Sequence, residues 1–142
     1  MSNGQLAGPR ILVVEWEARQ ARALEEILQE RGFEIAGPCA TVSSAVDQVR
    51  ACPPAAAVVG LKLKDGSADY LLLELEAAGV PVVAVTGRHD PGHARYRDLP
   101  SLSRPVGRDD LSSVVQQVLW ASSVERRGRA GRAHIPKSAG RG

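Results

Sequence analysis

Four apolar runs in this 142-residue chain lead directly into the residues that decide what chemistry it can do. Glu15 and Trp16 follow Ile11–Val14, Gly60 follows Ala56–Val59, Thr86 follows Val82–Val85, and Arg104 stands before Pro105 after Leu99–Leu102. Together they supply one carboxylate, one hydroxyl and one guanidinium. The carboxylate and the guanidinium balance in charge, so the two can form an internal ion pair with neither metal nor phosphate present. Magnesium demands octahedral oxygen ligation, and a single glutamate beside an indole is a poor site for it. His89 and His93 are four apart and can share a helical face as a metal pair, but they lack a third ligand and read as loop histidines. Cys39 and Cys52 stand thirteen positions apart with no second pair, which excludes a zinc ribbon or a redox CxxC motif and leaves ordinary buried thiols.

These residues need a scaffold that gathers them, and the hydrophobic pattern provides one. Short apolar runs at Ile11–Val14, Ile35–Ala36, Ala56–Val59, Val82–Val85 and, more weakly, Leu99–Leu102 read as strands. Runs apolar on both faces suit central parallel strands covered by helices on each side. Between them, Ala21, Leu24, Ile27 and Leu28 make a helical stripe; Val42, Ala45, Val46 and Val49 make a second, and Ala68, Leu71, Leu72 and Leu75 a third. Leu111, Val114, Val115, Val118 and Leu119 make the last, with Asp109 and Asp110 at its start and Gly32 and Gly79 closing earlier helices. Arg88–Asp98 has almost no stripe, so the fourth helix is expected to be short or missing. The fold class is therefore α/β, a doubly wound five-stranded parallel sheet, and ligands on such sheets bind beyond the carboxyl ends of the strands.

Set at those ends, the constellation resembles the response-regulator receiver family over roughly Arg10–Ser123. The family has an Ile-Leu-Val-Val strand followed by an acidic pair, an aspartate ending strand three, Thr or Ser ending strand four, and Lys-Pro after strand five. Gly60-Leu61-Lys62-Leu63-Lys64-Asp65-Gly66 is similar to its Asp-x-x-Leu-x-Asp-Gly segment with the first residue changed. The resemblance implies a flavodoxin-like receiver fold and a pocket in which that aspartate attacks a phosphoryl group while magnesium neutralises developing charge. Here Gly60 supplies no nucleophile, Trp16 replaces the second member of the acidic pair, and Arg104 replaces the lysine with a broad planar fork. A degenerate phosphorylation pocket of Glu15, Trp16, Gly60, Thr86 and Arg104 is thus expected, with no catalytic residue, metal or cofactor, and with a cis Arg104–Pro105 peptide. Val85-Thr86-Gly87 is similar to a stand-alone subfamily with a Phe-Ala-Thr-Gly motif, whose members pair with histidine kinases and carry no output domain.

Several residues admit two readings. Trp16 either plugs the vacated acidic pocket, the favoured expectation since a large ring gains much by burial, or is presented to a partner. Gly60 marks either close approach of a ligand or drift after loss of phosphorylation; Trp120 marks either a contact surface or packing against the first strand or helix. Asp65 reads as a turn residue before Gly66. The segment Glu125–Gly142 holds six of the eighteen basic residues and one of the sixteen acidic ones, leaving about −3 on the remainder. The expected organisation is a disordered N-terminus at 1–9, a receiver-like domain at 10–123 and a basic disordered tail at 124–142. That tail reads as a flexible terminus rather than a nucleic-acid-binding arm. No apolar run reaches membrane-spanning length and Met1–Arg10 lacks the apolar core of a signal peptide, so a cytoplasmic protein is expected, and the resemblance implies a binding module rather than an enzyme. Its partners would be a histidine kinase, another signalling protein, or a second copy in a homodimer. The alternative function is a nucleic-acid-binding regulator that uses the basic C-terminal tail; a flavodoxin-like enzyme is less favoured, because Glu15-Trp16-Glu17-Ala18-Arg19 is not a phosphate-binding loop and no Gly-rich one occurs elsewhere.

Overall fold

The computed structural model describes residues 8–87 and 98–139. Strands β1 (Arg10–Val14), β2 (Glu34–Cys39), β3 (Ala56–Gly60), β6 (Val82–Thr86) and β7 (Ser101–Ser103) form one parallel sheet in the order β2-β1-β3-β6-β7. Between β3 and β6, β4 (Lys62–Leu63) and β5 (Gly66–Ser67) make a small antiparallel pair that the periodicity did not foretell. Helices α1 (Ala18–Glu30), α2 (Val42–Ala51), α3 (Asp69–Ala77) and α4 (Arg108–Ala139) complete the described residues.

Strand side chains alternate between faces, which divides the apolar runs between two cores. Ile11, Val13, Val58 and Val83 pack with Leu24 and Leu28 of α1 and Leu111 and Val115 of α4. Leu12, Val14, Val59 and Ala84 face the other way, against Val46 of α2 and Leu71 and Leu75 of α3. Every stripe predicted from spacing lies against the sheet, although Val42, Val114 and Leu119 are only partly buried. Gly32 and Gly79, beyond α1 and α3, adopt φ of 91° and 73°, where a side chain would be strained.

The sequence expectations need revision at several points. Gly8 and Pro9 are not loose: the Gly8 amide donates to Gly32 and the Pro9 carbonyl accepts from Glu34. Cys52 is exposed rather than buried, since it caps α2 where that helix leaves the sheet. Helix α4 continues through the segment expected to be an irregular tail, as far as Ala139. Arginine, alanine and glutamate there are strong helix formers, and Arg127 donates to Ser123 one turn back. The expected short or missing helix in 88–98, with His89 and His93, falls almost wholly outside the described residues.

Asp65 does more than turn the chain. Its two carboxylate oxygens accept from the Val42 and Ser43 amides at 2.7 and 3.2 Å, at the N-terminus of α2 where Thr41 is the N-cap. The β4–β5 turn is thereby tied to α2, and the Val42 amide chiefly holds the Asp65 carboxyl below the usual aspartate range. A carboxylate with a lowered folded pKa contributes stability above its unfolded value of about 4, and loses it as pH falls through the folded one. Asp65→Asn is therefore expected to lower the urea midpoint at neutral pH. The difference from the wild type should close as the solution is acidified below that value.

Candidate functional site

Register brings the candidate residues together. Val14 pairs with Val59, Gly60 with Val85 and Thr86 with Ser103, so Glu15, Gly60, Thr86 and Arg104 lie side by side along the carboxyl edge of the sheet. Backbone bonds fix both ends of this row: the Glu15 amide donates to Cys39 at 2.8 Å and the Arg104 amide to Thr86 at 3.0 Å. The Arg104–Pro105 peptide is cis, as the resemblance implied, and so is Gly37–Pro38.

The carboxylate of Glu15 is wholly buried and has two partners. Arg104 Nη2 donates to Oε1 at 2.8 Å, and the Glu17 amide donates to Oε2 at 3.1 Å. The ion pair anticipated from charge balance is thus present, with the Arg104 side chain itself only 22% exposed. Glu17 is also the N-cap of α1, where its Oε1 accepts from the Gln20 amide at 2.9 Å. One short segment therefore aims Glu15 and starts the helix.

The same geometry shows what surrounds Gly60. A Cβ on this residue would lie 2.8 Å from Glu15 Oε1 and 3.2 Å from Arg104 Nη2. The glutamate oxygen is at the end of a flexible side chain, yet moving it means giving up the bonds to Arg104 and Glu17 inside a buried site. What approaches Gly60 is the chain's own ion pair, which occupies the space that a side chain at position 60 would need.

Trp16 departs from the favoured expectation. It is 44% exposed and does not plug the pocket, because Arg104 reaches across from just past β7 to fill the space beside Glu15. Its ring instead borders an open cleft with Pro38, Ala40 and Lys64. Thr86 donates to the Leu102 carbonyl at 3.4 Å, a long bond directed to β7. Trp120 lies away from the site and is exposed, with the Arg127 guanidinium 5.6 Å from its ring centre.

Receiver chemistry would require magnesium, and this donor set does not fit it. Glu15 spends both oxygens on protein partners, and Gly60 and Trp16 offer no oxygen from their side chains. Among the described residues no group of three or more His, Cys, Asp or Glu converges on a common point.

No family model and no curated protein matches the chain. Solved structures do. The signal receiver domain of a modulated diguanylate cyclase from Desulfovibrio desulfuricans G20 superposes with a TM-score of 0.75 at 22% identity, over 82% of this chain and 98% of that one. The PhyR response regulator REC domain of Erythrobacter litoralis gives 0.71 at 25% identity, over 82% and 94%. This chain has the receiver fold. A variant of the anti-anti-sigma factor PhyR from Bartonella quintana also shares it, with a TM-score of 0.71 at 19% identity over 85% of this chain and 52% of that one. Within the receiver fold the Glu15–Arg104 pair sits at the carboxyl edge, where ligands of doubly wound sheets bind.

Removing Arg104 would strand a buried carboxylate, so Arg104→Ala is expected to cost about 3–5 kcal/mol in chemical denaturation. Gly60→Ala should cost about 1–3 kcal/mol by overpacking. In a double-mutant cycle much of the Gly60→Ala cost should vanish in a Glu15→Ala background, because the clashing oxygen is gone.

Proposed function

We propose that this chain is a pseudo-receiver, a cytoplasmic, non-enzymatic domain of two-component signalling that acts through protein contacts without aspartyl phosphorylation. The observation that carries this reading is the Glu15–Arg104 pair packed over Gly60. Phosphoryl transfer to an aspartate needs a nucleophilic carboxylate at the strand end and a cation to neutralise developing charge. Position 60 has no side chain, and the carboxylate nearest to it is already neutralised by a guanidinium.

Switching follows from the same arrangement. A two-state element shifts only when a ligand binds one state better than the other. With no phosphate to draw it, Thr86 stays bonded to β7, and the domain rests in one conformation until a protein partner selects another. Histidine kinases and other signalling proteins are the partner class, in keeping with the response-regulator and anti-anti-sigma roles named for similar structures. Trp16 offers such a partner a half-exposed aromatic anchor next to the site. Among the described residues no helix is long and apolar enough to cross a membrane.

Incubating the protein with acetyl phosphate and magnesium tests the chemistry. No acid-labile phosphate should appear on the wild-type chain, and kinase capture from a lysate should be the same with and without the phosphodonor. Magnesium-dependent phosphorylation of the wild type would overturn the reading.

A further inference from the structure

At the opposite end of the sheet, below the starts of β6 and β7, two adjoining hollows of about 600 and 620 Å³ form a groove. Its floor is apolar, with Val80, Val82 and Leu99 shared by the two hollows, Leu72 in one of them and Val118 of α4 along one side of the other. Its rim carries Glu76, Asp98 and Glu125, all exposed and none in an ion pair among the described residues. An apolar floor under a three-carboxylate rim suits a segment that is basic and partly apolar.

The chain itself supplies such a segment. Residues 126–142 hold six basic side chains and no acidic one, with Ile135 among them, while 1–125 hold twelve basic against sixteen acidic, a net of −4. Helix α4 lines the groove as far as Glu125 and then runs on for fourteen residues to Ala139, about 21 Å at the helical rise. A continuous helix cannot turn back onto a groove that its own preceding turns line. The first basic turn, with Arg129 four residues past Glu125, adjoins the rim of its own groove, but the turns beyond it carry Arg132 and Lys137 past that rim and within reach of another molecule's groove.

We infer that the groove beneath β6 and β7 docks the basic C-terminal part of α4 from a second copy of the chain, giving a reciprocal dimer. Each protomer then offers one acidic groove and one basic helix end, so a two-fold arrangement satisfies both and closes the assembly. This contact lies at the end of the sheet away from Glu15 and Arg104 and does not depend on the absence of phosphorylation.

Sedimentation equilibrium of the full nuclease-treated chain tests the inference. A dimer is expected at low salt, weakening as salt screens the exposed charges. Glu76→Lys with Asp98→Lys should weaken self-association roughly tenfold or more, and so should Arg132→Glu with Lys137→Glu. Combining all four substitutions in one chain should restore the dimer, since the charges are again complementary; circular dichroism confirms that each variant is folded. A wild-type monomer at every concentration overturns the proposal. So does a dimer indifferent to the groove charges, a quadruple variant that stays monomeric, or self-association that nuclease abolishes, the last of which would make nucleic acid the tail's ligand.

Discussion

Glu15 carries a charge to a place where water cannot reach it, and the carboxyl edge of the sheet is organised around compensating that charge. An isolated buried carboxylate is tolerated only with partners that replace its hydration. Arg104 arrives from 89 positions away in sequence and donates to one oxygen, while the Glu17 amide takes the other. In the sheet order, β1 and β7 are separated by β3 and β6, so the ion pair spans the strand ends between them. Arginine suits this task because its long planar fork reaches across two strands and remains charged at any ordinary pH.

That bond explains the two unusual residues on either side of it. Gly60 gives the pair room, and Trp16 is left outside because the space beside Glu15 is already taken. Away from the edge the sheet is conventional, with α1 and α4 on one face and α2 and α3 on the other, each burying an aliphatic stripe. The ends of α1 and α4 are joined by surface pairs, Arg31 with Asp109 and Arg108 with Glu30, whose exposure limits their contribution. The scaffold thus holds the site with packing rather than with charge.

Most of this was legible in the sequence because periodicity reports burial directly: Ala21, Leu24, Ile27 and Leu28 are the buried face of α1, residue for residue. The ion pair was legible from charge balance at the strand ends. Trp16 was misread because its burial depended on whether another side chain would claim the same volume, which only three-dimensional reach decides. Whether Gly60 was crowded could not be read either, since the crowding atoms come from β1 and from the segment after β7. Asp65 looked like turn chemistry, and its partners at 42 and 43 lie more than twenty residues earlier. The long α4 was hidden by composition, because glycine, serine and proline near the end of the chain outweighed the helix formers between them.

The crowding over Gly60 also has a bearing on how such a site can change over time. An acidic side chain introduced at position 60 alone would set its Cβ 2.8 Å from Glu15 Oε1 and bring a second negative group into a pocket whose guanidinium is already committed. Like charges that close resist joint ionisation. An acidic side chain at this strand end would therefore require Glu15 to be vacated or redirected first. Glu15, Gly60 and Arg104 are thus interlocked, and position 60 cannot take a side chain independently of the other two.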